Sequence, residues 1–301
     1  MNGTYWNGDV SVNASESDSA GDTFGFLDYG LVSWWRMDDL NSSGGVVDYM
    51  GTFNGTINGS ATQIDAGKFG KGFSFDGTAG GYIYPGIDLD TNVDLTNGSI
   101  SAWFNSESIG TESAIFGAYQ SSPRTRLDLM VSSSKLLAYV GNDTSTLTGS
   151  TTLSSDTWYH AVLTWDNSTF NVYLNGVNDS VVGIQYVDMV FNRMLLIGSR
   201  DIGGSPFLPN RPWNGTLDEV MVWNRTLNAT EISALYNSTA NRVLATIDSS
   251  DLAEGVNTFD VYAVDLAGNV NSSNFSVNYD SASPTLSVAS PVNDSNYNSS
   301  S

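Results

Sequence analysis

The stretch WNGTLDEVMVWNRTLNATEISALY, residues 213–236, decides the fold because it carries a strand pattern and a helix start side by side. Its run over 217–223 is otherwise apolar, which is typical of a β-strand. Two acids, Asp218 and Glu219, interrupt that run. The acid pair could be catalytic, could bind a metal or could belong to the frame of the fold.

A short helix is predicted directly after this strand. Asn228 has the residue type of an N-cap, and Glu231 three residues later completes a capping box. Leu227 and Ile232 stand where a hydrophobic staple is expected. The sequence therefore predicts about two helical turns over 229–236.

The rest of the chain consists mostly of short apolar or alternating runs between Gly, Asn, Asp and Ser, which indicates antiparallel strands. Asp-Asn-Ser-Thr at 166–169 predicts a hairpin turn, and Asn-Gly at 175–176 predicts a type I′ turn. This series predicts an all-β sandwich or jelly roll. The predicted strands lie at 31–37, 99–104, 127–131, 136–140, 160–165, 170–174, 194–198, 217–223, 242–247, 257–264 and 274–279.

Composition excludes several function classes. The 301 residues carry a net charge of −21, from 32 acids and only 11 Lys and Arg. This scarcity of basic groups argues against binding to nucleic acid or to anionic membrane surfaces. There is no Cys, which excludes disulfides and thiolate chemistry. The sequence contains no run of about 18 apolar residues, which is the length needed to span a membrane.

Asparagine sequons are unusually frequent. The chain holds 17 Asn-X-Ser/Thr triplets, against about six expected by chance from its composition. We therefore expect an exported, N-glycosylated, extracellular chain, and because residues 1–30 lack a signal-peptide pattern, we expect it to be a segment of a longer protein. The sequons around the predicted strands are Asn54, Asn97, Asn167, Asn214, Asn224 and Asn228.

Several motifs in order resemble the laminin-G-like, concanavalin A-like jelly-roll modules of secreted and cell-surface proteins. They are GLVSWWRMDD at 30–39, DYMGTFNGT at 48–56, GKFGKGFSFDG at 67–77, WYHAV at 158–162 and LIG at 196–198, together with the Asn-Gly turn and the opening stretch. The resemblance implies a concanavalin A-like jelly-roll sandwich over residues 30–237.

The flanks resemble an immunoglobulin-like repeat of large archaeal surface proteins, chiefly through LAEGVNTFDVYAVDLAGN at 252–269. We predict that residues 1–29 and 238–280 are two parts of one split immunoglobulin-like domain into which the jelly roll is inserted. Residues 8–14 should then share a sheet with 257–278. Residues 281–301 would form a linker or the start of another repeat.

Catalysis by the acid pair is not expected. Adjacent residues on a regular strand point to opposite faces, so Asp218 and Glu219 should not act together on one bond. His160, the only histidine, lies on an apolar strand and is interpreted as a packed side chain rather than a triad member. Arg225 is expected to fold back onto Glu219 or onto the helix in an ion pair.

Calcium is the metal that these acids favour, because it prefers carboxylate and carbonyl oxygens. Asp38 and Asp39 end the first predicted strand, and Asp218 lies on the last, which should be its neighbour in this fold. A shared calcium ion is therefore predicted at Asp38, Asp39 and Asp218, as the resemblance also implies. The alternative is that these acids are solvated and bonded to nearby turns.

The loop over 199–213 is predicted to contact a ligand, because its side chains offer aromatic surface and bidentate hydrogen bonds to a sugar or peptide. These side chains are Arg200, Asp201, Phe207, Arg211 and Trp213. The alternative is a loop that its own Phe and Trp hold against the core.

These patterns predict a non-catalytic adhesion or recognition module of a cell-surface protein. The module would bind glycans or a protein on another cell, and a structural calcium ion would assist it. The alternatives are a structural spacer of a surface protein and an accessory carbohydrate-binding domain of a carbohydrate-active enzyme.

Overall fold

The computed structural model describes residues 5–6, 8–14, 23–121, 124–141, 146–180, 184–185, 194–202, 209–236 and 243–281. The strands in these ranges are, in chain order, β1 (Tyr5–Trp6), β2 (Val10–Ala14), β3 (Thr23–Leu27), β4 (Leu31–Trp35), β5 (Thr56–Asn58), β6 (Thr62–Ile64), β7 (Gly72–Asp76), β8 (Tyr82–Tyr84), β9 (Gly98–Ser106), β10 (Ser113–Ser121), β11 (Arg124–Ser132), β12 (Lys135–Gly141), β13 (Thr146–Thr148), β14 (Trp158–Trp165), β15 (Thr169–Leu174), β16 (Val177–Asn178), β17 (Ile184–Gln185), β18 (Leu196–Ile197), β19 (Arg200–Asp201), β20 (Pro209–Asn210), β21 (Asn214–Trp223), β22 (Val243–Ile247), β23 (Gly255–Asp265) and β24 (Val270–Tyr279). The helical elements are α1 (Leu89–Asn92), α2 (Ala229–Tyr236) and a 3₁₀ turn at Ser249–Asp251.

Two large sheets face each other across the main core. Sheet I has the order β13–β12–β11–β10–β18–β8–β5, and β19 and β20 join it at β10. Sheet II has the order β16–β15–β14–β9–β21–β7–β6, joined by β17 at β15 and by β4 at β21. Side chains alternate along each strand, so one face of each sheet supplies a continuous apolar core. The prediction of an all-β jelly-roll sandwich is confirmed.

Local predictions around the opening stretch are also confirmed. Strand β4 pairs with β21 in antiparallel register, so the first and last strands of the jelly roll are neighbours. Asn175 and Gly176 have φ angles of 51° and 79°, which is the type I′ geometry expected between β15 and β16. Helix α2 begins at its capping box, since the Asn228 side chain accepts the Glu231 amide at 3.0 Å and Glu231 accepts the Asn228 amide at 2.9 Å.

The segments on either side of the jelly roll pair with each other. Sheet III has the order β1–β24–β23–β3, and sheet IV consists of β2 and β22. Val12, Leu27, Ile247 and Val277 belong to the small core that they share. Both sheets therefore combine strands from the two ends of the chain.

One detail of the predicted pairing is wrong. Residues 10–14 pair with 243–247, whereas the strand that joins β23 from the N-terminal side is β3. The N-terminal segment supplies β1 and β3 to sheet III and β2 to sheet IV, and the run 10–18 alone did not show which sheet it joins. The division into 1–29, 30–237, 238–280 and 281–301, and its immunoglobulin-like character, stay predictions.

Sheet III rests on the outer face of sheet II through an aromatic cluster. Phe26 of β3 meets Trp34 of β4 edge to face, with ring centroids 4.9 Å apart. Tyr262 of β23 lies 5.8 Å from the same tryptophan. Trp34 is fully buried, so the jelly roll and the flanking sheets share one apolar seam.

Candidate functional site

The acid pair of the opening stretch lies on a β-bulge. The pairing of β21 with β9 shifts between Asp218 and Met221, and Glu219 has a φ of 49°. The extra residue breaks the alternation of side chains along the strand. Asp218 accepts the amides of Lys68 and Phe69 at 2.8 and 2.9 Å, while Glu219 accepts the indole N–H of Trp34 at 2.5 Å.

The expectation that the two acids point to opposite faces is therefore wrong. Phe69 and Trp34, which bond to Asp218 and Glu219 respectively, both belong to the seam cluster on the outer face of sheet II. Burial and the neighbouring Glu219 charge raise the pKa of Asp218 well above its usual range. Burial also raises the pKa of Glu219. Both side chains are closed to solvent, which keeps substrate away from them.

The three residues predicted to bind calcium do not form a coordination shell. Asp218 accepts backbone amides, Asp38 accepts the Lys71 amide at 2.7 Å and pairs with Arg36 at 2.7 Å, and Asp39 is reached by Arg36 at 3.3 Å. Because N–H donors already point at these oxygens, the donor set does not fit calcium. Within the described ranges no three acidic or histidine side chains are grouped to hold a metal.

Arg225 folds back onto the helix, which was one of its two predicted partners. Its guanidinium forms a bidentate ion pair with the Glu231 carboxylate, with N–O distances of 2.9 and 2.7 Å. It also donates to the carbonyl oxygen of Tyr29 at 2.6 Å, next to β4. The predicted partner Glu219 is bonded to Trp34 instead.

In the described parts of the predicted ligand loop, residues 199–202 and 209–213, most of the candidate side chains are structural. Arg200, Asp201 and Trp213 are buried, with exposures of 6%, 2% and 0%. Arg211 is exposed and pairs with Glu112 at 2.9 Å. Phe207 lies outside the described residues. The expectation of direct ligand contact is therefore wrong for Arg200, Asp201 and Trp213 in this conformation.

The buried Arg200 instead supports the outer face of sheet I. Its guanidinium donates to Asp128 at 3.1 Å and lies over the ring of Tyr119, 5.3 Å from its centre. Asp128 is fully buried, and burial raises its pKa to about 7 although Arg200 lowers it. A Cβ at Gly117, directly opposite on β10, would lie 2.3 Å from the Asp128 carboxylate, so this close packing needs glycine there.

Two tyrosines and an arginine surround this pair. The Arg126 guanidinium lies 4.8 Å from the Tyr119 ring centre and 4.5 Å from that of Tyr139. All three side chains are half-buried and lie on the face opposite Leu127 and the main core. We refer to Tyr119, Arg126 and Tyr139, together with the buried Arg200 that supports them, as the tyrosine–arginine face.

Sequence reasoning missed this face. The alternation Arg126-Leu127-Asp128-Leu129 showed that β11 has a polar side, but nothing in the sequence showed which strands flank it. The register places Tyr119 opposite Arg126 and Tyr139 opposite Asp128, which brings residues from three strands together.

His160 is a core side chain, as predicted. It is 2% exposed and lies 5.2 Å from the ring of Trp103. Burial lowers its pKa to about 3.

The sequon asparagines lie mainly at the surface. Asn54, Asn167, Asn224 and Asn228 are exposed, while Asn97 and Asn214 are half-buried. Glycosylation at these positions stays a prediction. In the part of the chain that the structure describes, no helix is long and apolar enough to cross a membrane.

A family model described as the concanavalin A-like lectin/glucanases superfamily matches residues 76–233, just over half of the chain. The chain belongs to this superfamily. The matched range runs from the end of β7 into α2 and so includes the tyrosine–arginine face and the acid bulge. A search of curated proteins gives no significant sequence match.

Solved structures share the superfamily fold at low identity. A Trypanosoma rangeli sialidase in complex with 2,3-difluorosialic acid aligns with a TM-score of 0.55 and 19% identity, over 70% of this chain and 33% of the sialidase chain. The binding domain of Paraclostridial Mosquitocidal Protein 1 aligns with a TM-score of 0.53 and 16% identity, over 70% of this chain and 53% of that domain. Domain 4 of the Geobacillus stearothermophilus arabinanase AbnA, in complex with arabinotriose, aligns with a TM-score of 0.49 and 19% identity, over 69% and 98%. The match thus spans a third of the sialidase and about half of the mosquitocidal binding domain.

Proposed function

We propose that this protein is a non-catalytic recognition module that binds glycans through the tyrosine–arginine face. The observation that carries the proposal is the position of the Arg126 guanidinium, 4.8 and 4.5 Å from the ring centres of Tyr119 and Tyr139. Aromatic rings offer apolar surface to the C–H face of a sugar, and a planar guanidinium offers paired donors to its oxygens.

The face is held in place before any ligand arrives. Arg126 and Arg200 both lie over the ring of Tyr119, and Arg200 is fixed by buried Asp128 and by the side chain of Asn210 at 3.0 Å. A side chain that is already ordered loses little conformational entropy on binding. A rigid face of this kind favours recognition over a role as a spacer that binds nothing.

The buried acids of the jelly roll favour binding over catalysis. Glycoside hydrolysis needs two carboxyl groups that flank a reachable bond, roughly 5–10 Å apart. Asp218 and Glu219 are buried beneath the seam, and Asp128 is buried against Arg200. We therefore propose a binding module, which would also suit an accessory domain of a carbohydrate-active enzyme.

The proposed setting is the exterior of a cell, in a surface protein that contacts glycans or proteins of another cell. The excess of sequons supports export. The net charge of −21 disfavours nucleic acid as a partner. The sialidase complex shows a sugar bound to a chain that shares this fold over a third of its length, which makes a glycan a reasonable first ligand to test.

A glycan array probed with the complete chain tests the proposal. We expect selective binding that Tyr139→Ala weakens about tenfold, because each 1.4 kcal/mol of lost contact changes affinity tenfold. Arg126→Lys should also weaken binding, since lysine keeps the charge but loses the planar pair of donors. Parallel arrays with calcium and with a chelator test the calcium prediction.

The matched control is Tyr173→Ala, which removes a half-buried tyrosine on β15 of sheet II, outside the tyrosine–arginine face. It should leave binding at the tyrosine–arginine face unchanged. An array without any selective signal, or equal loss in Tyr139→Ala and Tyr173→Ala, would contradict the proposal.

A further inference from the structure

A groove of about 590 Å³ opens at the seam between the jelly roll and the flanking sheets. This volume falls within the range of small-molecule sites, about 300–1,000 Å³. The jelly roll supplies Arg36, Asp38, Asp39, Tyr49 and Lys71, and the turn between β23 and β24 supplies Asn269. We call it the seam groove. It has no residue in common with the tyrosine–arginine face.

Hydrogen bonds that cross the seam hold the groove together. Arg36 donates across the seam to the carbonyl oxygen of Gly268, and within the jelly roll to the carboxylate of Asp38. The amide of Gly70 donates to the carbonyl oxygen of Leu266 at 3.0 Å. The groove therefore exists only where the flanking sheets dock on the jelly roll.

Two glycines allow the jelly roll and the turn between β23 and β24 to approach each other closely. Gly70 and Gly268 have φ angles of 66° and 77°, a conformation that glycine adopts without strain. A Cβ on Gly70 would lie 2.3 Å from the Asp38 carboxylate and 3.2 Å from the Cα of Gly268. The shape of the groove floor thus depends on the absence of side chains at both positions.

Tyr49 supplies an aromatic wall that is both exposed and fixed. It is 42% exposed, yet its ring centre lies 4.7 Å from that of Trp34 and 6.0 Å from that of Tyr262. The Arg36 guanidinium lies 5.5 Å from its centre. A ring held at the surface in this way can stack against the C–H face of a sugar.

The charges of the groove balance. Two acids, Asp38 and Asp39, face two bases, Arg36 and Lys71. A wall with donors and acceptors but no net charge favours a neutral polyhydroxyl ligand over an anion or a cation. We propose that the seam groove is a second saccharide site, specific for neutral sugars, that requires both structural units.

Saturation-transfer NMR and calorimetry on the complete chain test this proposal. The probes are glucose, galactose, mannose and lactose, with glucuronate and glucosamine as charged comparators. We expect neutral sugars to bind with a Kd on the order of millimolar, and the charged sugars to bind more weakly. Tyr49→Ala should weaken neutral-sugar binding about tenfold, and Tyr49→Phe should retain it because the ring remains.

Asp39→Asn should weaken binding several-fold without a loss of stability, since its side chain is 60% exposed. Tyr139→Ala should leave the seam groove unaffected, so failure here is distinguishable from failure at the tyrosine–arginine face. The proposal is overturned if no neutral sugar binds, if charged sugars bind better, or if folded Tyr49→Ala binds as the native chain does.

Discussion

The indole N–H of Trp34 donates to the carboxylate of Glu219 over 2.5 Å, and this bond joins the first strand of the jelly roll to its last. Trp34 is also the residue on which Phe26 and Tyr262 of the flanking sheet rest. Glu219 is 1% exposed, and its second oxygen has no hydrogen-bond partner. The acid pair thus belongs to the frame, where it fixes the tryptophan that carries the seam.

Glu219→Gln should flatten the dependence of stability on pH. Burial raises the pKa of Glu219, while Trp34 and the Arg36 charge lower it and the Asp38 charge raises it. Its contribution to stability is therefore fully present below its unfolded pKa and is lost as pH rises through its folded pKa. Glutamine cannot ionise, so the slope of stability against pH should fall by up to about 1.4 kcal/mol per pH unit.

Urea unfolding of both proteins from pH 4 to pH 9 measures this slope. Asp218 faces the same cluster and also has a raised pKa, so part of the slope should persist in the variant. Identical pH profiles for the native chain and the variant would show that Glu219 has an ordinary pKa in the folded state.

The β-bulge at Glu219 could not be predicted from the sequence, whereas other local features could. The capping box, the Asn-Gly turn and the adjacency of β4 and β21 follow from local residue types and from the repetitive strand pattern. A bulge residue with positive φ is most often Gly, Asn or Asp, so a glutamate there gives no local signal. Its conformation is imposed by partners more than 140 residues away, Trp34 and the loop at Lys68 and Phe69.

The prediction of ligand contact by residues 199–213 failed for a related reason. Arg200 and Trp213 have the residue types of a binding surface, but burial depends on what covers them. Arg200 contacts Asp128 from a distant strand, and Trp213 packs 5.8 Å from Phe104 in the main core. The half-buried rings of the tyrosine–arginine face, Tyr119 and Tyr139, lie on strands whose neighbours the sequence does not specify.

Asp128 should titrate near neutral pH. Burial raises its pKa to about 7, although the Arg200 charge lowers it. Its contribution to stability is present below its unfolded pKa and is lost as pH rises through about 7. The carboxyl ¹³C resonance of Asp128 should therefore have its midpoint there, and Arg200→Gln should move the midpoint upward because it removes the lowering charge.

Asp76 is the matched control in the same spectrum. Hydrogen bonds from Ser60 and Thr78 lower its pKa, so its midpoint should lie below the usual range of an aspartate in both proteins. A midpoint for Asp128 near that of Asp76 would be incompatible with its buried position.

Glu231→Ala should cost more stability than Asn228→Ala. The Glu231 carboxylate accepts two hydrogen bonds from the Arg225 guanidinium and one from the Asn228 amide, and its side chain is only 7% exposed. Removing one partner of a largely buried pair costs about 3 kcal/mol. Loss of the Asn228 cap alone costs about 1 kcal/mol. Urea unfolding at pH 7 compares the two, and an equal loss would mean that the Arg225 pair adds nothing.

A comparison of Gly70→Ala with Gly86→Ala should separate the loss of stability caused by crowding at the seam from the loss caused by backbone strain. Gly70 and Gly86 have φ angles of 66° and 76°, so alanine is strained at both, by about 1–2 kcal/mol. At Gly70 the new Cβ also meets the Asp38 carboxylate at 2.3 Å, whereas nothing lies within 4 Å at Gly86. Crowding in a packed region adds about 1–3 kcal/mol, so Gly70→Ala should be the less stable variant by that margin in urea unfolding. Equal losses would mean that Asp38 moves aside freely and that the close approach across the seam does not constrain the fold.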